Sequence, residues 1–247
     1  MMLTRRLLLL KPQLLAVVAY LTLAATAISP SATAQTAGVP RIRKAAFTLR
    51  ENGTYDFGAR VVRCQPGQQV GIAAEGSGNL AVTNVVIEGC EIGIASSGHA
   101  VRVSDADIRD TIVCMFIMGN DMTISNNRAT QCMYGIVVFG NENTIRDNEV
   151  TDNGADGILV TGDANVVGGN QVLRNRGTGI HVVRMVPMIA EGSFLPLIQD
   201  LATGNVVQGN NAANNNVDLE EFGDCDKGLR NSWIDNQFGT KNPDCIR

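Results

Sequence analysis

One short string of residues returns in register along this chain, and nothing else in the sequence limits the fold so tightly. Gly71-Ile72-Ala73-Ala74-Glu75-Gly76 comes back as Gly93-Ile94-Ala95-Ser96-Ser97-Gly98, then Cys114-Met115-Phe116-Ile117-Met118-Gly119. Gly135-Ile136-Val137-Val138-Phe139-Gly140 and Gly157-Ile158-Leu159-Val160-Thr161-Gly162 follow, and a sixth copy opens with Gly179-Ile180-His181-Val182-Val183. The starts lie 22, 21, 21, 22 and 22 residues apart. A self-similar period of this length is the signature of a solenoid, in which each unit buries its apolar side only by stacking on the next.

Within each unit the apolar residues alternate over short runs, which predicts strands rather than helices. The second position of the string reads Ile72, Ile94, Met115, Ile136, Ile158, Ile180, and the fourth Ala74, Ser96, Ile117, Val138, Val160, Val182. Two further columns read Ala81, Val103, Ile124, Ile145, Val167, Val207 and Val86, Ile108, Ala129, Val150, Val172, Ala212. Three short strands per unit describe one coil of a single-stranded right-handed parallel β-helix, with about seven coils in this all-β chain. The turns agree. Glycine ends the string at 76, 98, 119, 140 and 162, where a corner needs positive φ. Asparagine falls in two columns, Asn79, Asn143, Asn165, Asn205 and Asn84, Asn127, Asn148, Asn170, Asn210. Asn tolerates the left-handed conformation, and stacked amides can hydrogen-bond from coil to coil.

The unit G-I-x-V-x-G…N-x-I-x-x-N-x-V-x-x-N resembles the repeats of right-handed parallel β-helix proteins of the pectate-lyase-like superfamily, in a small exported form. Proteins of this kind include exported polysaccharide lyases, mannuronan epimerases and a periplasmic accessory protein of nitrous-oxide-reductase maturation. The tail, from Asp218-Leu219 through Asp224-Cys225, Asn231-Ser232-Trp233 and Asn236-Gln237-Phe238-Gly239-Thr240 to Cys245-Ile246, is similar to the C-terminal cap of small exported members. The resemblance spans roughly residues 50 to 247. It is specific for fold and carries little about activity, because the repeat encodes a core and not a site.

The chain therefore divides as follows. Arg5, Arg6 and Lys11 precede an uncharged apolar run, Leu14 to Ala25, and a small-residue stretch ending Ala32-Thr33-Ala34. That order predicts a signal peptide over 1–34, too short in its core to span a bilayer, and a protein exported to the periplasm or beyond the cell. An N-terminal cap and irregular first coil are expected over 35–70, repeats over 71–218 with an apolar insertion at 184–200, and a C-terminal cap over 219–247. Cys225 and Cys245 would staple that cap, with Trp233 and Phe238 as its apolar plugs. Of the other four cysteines, Cys64 can reach Cys90 through the irregular coil, whereas Cys90, Cys114 and Cys132 do not fall in adjacent registers.

Removing a leader with three basic residues and no acid takes the net charge from −4 to about −7. Such a surface repels phosphate backbones, so nucleic acid is not an expected partner, and no membrane span remains after cleavage. The outward positions of the repeated string form an apolar stripe, Phe116, Met118, Val137, Phe139 and Leu159, expected to be exposed on the coils. A flap formed by the insertion, or self-association, would cover it.

The resemblance implies that enzymes of this fold work on an outer strand face lined with acids, Arg, Lys and His. Here that face is mostly apolar, so no catalytic set is evident; the weak candidates are His181, Arg184 and Glu191 beside the insertion, with Arg176 nearby and His99 weaker still. No cofactor is expected. Turn carboxylates Asp152, Asp156 and Asp163 are the only calcium candidates, and the Met and Cys cluster around 114–133 reads as core. The expected function is an exported binding or scaffold module for envelope or extracellular polysaccharide. The alternative is a small polysaccharide lyase or epimerase working near the insertion.

Overall fold

A coil with period 21 or 22 must turn its backbone back on itself three times, and the geometry of those corners organises the whole molecule. The computed structural model describes residues 45–183, 185–190, 193–198, 202–221 and 231–246. The expected signal peptide, Arg184, Glu191 and Cys225 fall outside them. Strand-on-strand pairing is parallel throughout the solenoid, which has about eight turns. One sheet has nine strands, running from Ala45–Leu49 through Val70–Ser77, Ile92–His99, Val113–Asn120, Tyr134–Phe139, Ile158–Thr161, Thr178–Val182 and Val217–Glu221 to Lys241–Asn242. The other has fourteen and carries the remaining two strands of each coil, bent at a corner between them. No described helix is long and apolar enough to cross a membrane. Part of the insertion pairs with itself as an antiparallel hairpin, Met185–Ala190 against Ser193–Ile198.

The coils have three corners each, and at nearly all the described ones the chain passes through the left-handed region. In the second corner Asn84, Asp105, Asn126, Asp147, Gly169, Gly209 and Asp235 stack with φ from 51° to 64°. The third corner stacks Gly89, Asp110, Gln131, Asp152, Arg174 and Asn214, and the first stacks Ala100, Asp121, Glu142, Ala164 and Gly204. For a residue with a Cβ this conformation costs roughly 1–2 kcal/mol, so something must offset it repeatedly.

The offset comes from the next residue, which points inward. The backbone N–H of Asn127 donates to Asn148 Oδ1 at 3.0 Å, that of Asn148 to Asn170 at 2.9 Å, that of Asn170 to Asn210 at 2.9 Å and that of Asn210 to Asn236 at 3.0 Å. Each side-chain amide also donates to the next coil's oxygen and to a backbone carbonyl, as Asn148 Nδ2 does to Asn170 Oδ1 and Ile124 O. The amide thus uses both donors and accepts twice on one oxygen, a full complement for a buried carboxamide. A second ladder runs Asn143, Asn165, Asn205, Asn231 and a third Asn153, Asn175, Asn215. The third had no counterpart in the sequence reading. It ends on Asp218, whose Oδ1 accepts from Asn215 N and Nδ2 while Oδ2 accepts from Gly239 N and Thr240 N.

The first coil corrects the expected columns by one residue. Val82 pairs with Val103 and Ile87 with Ile108, so Val82 and Ile87 face the core where Ala81 and Val86 were expected. Asn84 likewise stands in the left-handed column, not the ladder, and donates to Asp56 Oδ1. The extra residue of this coil lies in its first corner, where Gly78 rather than Gly76 takes positive φ.

Two disulfides occupy the third corner of the early coils. Cys64 bonds Cys90, a pairing the sequence left open, and Cys114 bonds Cys132 with Cα atoms 5.8 Å apart, a pairing the column argument missed. Cys114 takes a position that is glycine in the neighbouring coils, where an added Cβ would come within 2.4–2.8 Å of Ile87, Ile108 or Val150. In its own coil the facing column holds Ala129, and the smaller residue makes room for the sulfur. Cys245 is also disulfide-bonded, while its expected partner, Cys225, lies outside the described residues. These bonds point to a non-cytoplasmic environment.

Removing an amide from a ladder strands the N–H groups beneath it, at roughly 1–3 kcal/mol each. Asn148→Ala is therefore expected to lower unfolding free energy by about 3 kcal/mol in urea titration, while Arg128→Ala on the surface changes it by under ~0.5 kcal/mol. Asp218 has the opposite dependence from a basic group. Burial pushes its carboxyl up, but hydrogen bonds from Asn215, Gly239 and Thr240 outweigh this and hold it below the ordinary 3.8. Its contribution is present above that value and lost as pH falls through the lower folded one. The melting temperature of the native protein should fall more steeply than that of Asp218→Asn below about pH 4.

Candidate functional site

The outer face of the nine-stranded sheet changes character along the axis. In the middle coils it is apolar: Phe116, Val137 and Leu159 stack in one register column, and Phe116 meets Phe139 edge-to-face at 5.6 Å. This stripe is not exposed as expected. Phe116, Val137 and Leu159 are only 4%, 3% and 2% accessible, and Met118 and Phe139 are half-buried. Strand alternation tells which side chains point outward from a coil, and nothing about what lies over them.

Further along, the same column becomes polar, reading Leu159, His181, Glu220 and Asn242 on successive rungs. The column at the strand entry reads Tyr134, then Asp156 and Thr178. Cross-links tie the two. His181 Nδ1 lies 3.2 Å from Asp156 Oδ2, while Asp156 Oδ1 accepts from the backbone N–H of Thr178 at 2.8 Å. Thr178 Oγ1 donates to Glu220 Oε2 at 2.6 Å, and Asn242 Nδ2 donates to Glu220 Oε1 at 2.9 Å. The His181 side chain is 13% exposed. Burial draws its imidazole down, but the hydrogen bond and charge of Asp156, with the charge of Glu220, outweigh this and hold it above the ordinary 6.5. Burial, aided by the Asp156 carboxylate, pushes the Tyr134 hydroxyl far up.

Of the three candidates beside the insertion, only His181 lies among the described residues, and Arg176 nearby is exposed. The companions of His181 are Asp156 and Glu220, which the sequence reading did not connect with it; Asp156 had been weighed for calcium instead. Alternation placed His181 on the outer face, and counting one coil back and three residues toward the strand entry would have found the carboxylate. The three aspartates weighed for calcium are not brought together. Asp152 pairs with Arg174, Asp156 with His181, and Asp163 accepts from Thr203 across the first corner. Among the described residues no three His, Cys, Asp or Glu are grouped to hold a metal ion. His99 sits on the first corner, paired with Asp121 at 3.1 Å, with its side chain 60% exposed.

Two overlapping stretches, residues 48–195 and 92–240, match the family model described as a right-handed β-helix region. No curated protein and no solved structure matches the chain.

The chain has two histidines, so their titrations separate cleanly by NMR. In Asp156→Asn the His181 imidazole should titrate at lower pH than in the native protein, and His99 should not move. An unshifted His181 would mean that Asp156 does not hold its charge.

Proposed function

The chain belongs to the right-handed β-helix family, and we propose that it is an exported binding or scaffold module that holds envelope or extracellular polysaccharide without cleaving it. What carries this reading is the employment of the carboxylates around His181. Asp156 accepts the Thr178 backbone N–H and the His181 ring, and Glu220 accepts Thr178 and Asn242. These bonds clasp four successive rungs together. A general acid or base needs a lone pair or proton presented to substrate, whereas these groups are spent on joining coils. Ladders and disulfides make the scaffold rigid, which suits a surface that must hold a fixed shape.

The His181–Asp156 pair also favours a second reading, a small lyase or epimerase, because a carboxylate-oriented imidazole is a ready proton carrier. Proton NMR of pectate, alginate and hyaluronan before and after incubation with the protein and calcium separates the two. The binding module leaves the spectra unchanged while retarding one or more polysaccharides in affinity electrophoresis, and His181→Ala retards them equally. New unsaturated-end or epimer signals that vanish in His181→Ala would establish the enzyme instead.

A further inference from the structure

The middle strand of each coil, just after the first corner, presents an outward face that the repeat itself does not require. Two columns stand on it. One reads Arg102, Thr123 and Thr144 on successive rungs, and the other Ser104, Ser125 and Arg146. A guanidinium therefore stands at each diagonal end of a floor of four short hydroxyl side chains. Below it the columns continue as Ala81 and Thr83; above, as Val166 and Gly168. Gly168 has no side chain to crowd Arg146, and Gln208 of the next rung lies against the space it leaves.

Ser104 Oγ donates to Thr83 Oγ1 at 3.1 Å and Ser125 is buried, but the other groups on this floor are not used by the fold. Arg102 is exposed and has no ion-pair or hydrogen-bond partner among the described residues, and the Thr123 and Thr144 hydroxyls make no described hydrogen bond. Arg146 gives one nitrogen, Nη1, to Asp147 and keeps its remaining donors. Of the acids at the strand ends, Asp121 is engaged by His99, Asp105 by Thr83 and Asp147 by Arg146, while Glu142 stands exposed at the corner before Thr144. More distant acids of this negatively charged protein are screened beyond ~8 Å at physiological ionic strength.

We propose that this strip, bounded by Arg102 and Arg146, binds an anionic glycan lying along the solenoid axis, through oxyanions on the two guanidiniums and sugar hydroxyls on Thr123 and Thr144. The proposal rests on the polysaccharide-binding reading above and assigns it a surface and a ligand charge. Coils rise by ~4.8 Å, close to the length of one pyranose residue, so the two guanidiniums meet groups about two residues apart on an extended chain. The planar fork of Arg suits a uronate carboxylate or a sulfate ester, both of which accept paired N–H donors. Hydroxyls that can donate and accept match sugar hydroxyls without an aromatic platform.

Affinity electrophoresis and calorimetry with a polyuronate, a sulfated glycan and single-stranded DNA test it. Each of Arg102→Ala and Arg146→Ala is expected to weaken glycan binding roughly tenfold, the loss of one charge-assisted contact. Arg102→Lys should recover part of it, and Arg60→Ala, which removes an exposed arginine from a different strand, should leave it unchanged. Preference for the polyuronate assigns the oxyanion as carboxylate, and preference for the sulfated chain assigns it as sulfate ester. Native-like glycan binding by Arg102→Ala and Arg146→Ala would overturn the strip while leaving the binding function standing. Equal binding of the DNA would overturn the glycan assignment, and no retardation of either glycan by the native protein would overturn the function reading with it.

Discussion

Every coil of this protein depends on finding an acceptor for the backbone N–H that follows each left-handed corner. The corner turns that N–H inward, away from water and out of line with the strand ladders. An unpaired buried donor costs roughly 1–3 kcal/mol, and three corners recur over about eight turns. Asparagine answers the need because its carboxamide is long enough to reach one coil back and has donors left for the coil ahead. The bonds then polarise one another along the stack, as chains of amides in a low-dielectric interior do.

The early coils show the same demand met by other means. Where the second ladder would begin, Met122 Sδ accepts the N–H of Val101 at 3.2 Å. In the third corner Cys90, Thr111 and Cys132 precede Asn153 in the column, and the disulfides Cys64–Cys90 and Cys114–Cys132 bind the coils there. At the far end carboxylates replace amides. Asp218 closes the third ladder, and Glu221 accepts from Asn231 at the top of the second, as well as from the indole of Trp233 at 2.7 Å. Both carboxylates face donors, the N–H groups of Gly239 and Thr240 at Asp218 and the Asn231 and Trp233 side chains at Glu221, so a carboxylate fits where an asparagine would leave N–H groups unmatched. A fourth, exposed series on the first corner, Asn120 to Asn141 to Asp163 to Thr203, repeats the device at the surface.

The core was legible in the sequence because strand periodicity and coil period are both written in apolar residues. Ile72, Ile94, Met115, Ile136, Ile158 and Ile180 form one fully buried column as expected. What misled was the assumption that each coil carries its extra residue in the same place. The first coil has it in the first corner, which moved Asn84 out of the ladder and brought Val82 and Ile87 inward. The third ladder and the Cys114–Cys132 bond were hidden for a related reason, since a corner column is visible only after register is fixed to the residue. The cluster around His181 depends on contacts across three coils, and linear spacing does not display those.

If ladders carry the fold, their backbone amides should exchange with solvent only when the solenoid opens as a unit. Native-state hydrogen exchange read at the N–H groups of Asn127, Asn148, Asn170 and Asn210 measures this directly. The account predicts protection equal to that of neighbouring strand amides such as Ile145 and Val167, rising and falling with global stability as urea is added. Fast exchange at those four corners, at the rate of open turns and independent of urea, would show that the asparagine stack decorates the coils and does not hold them.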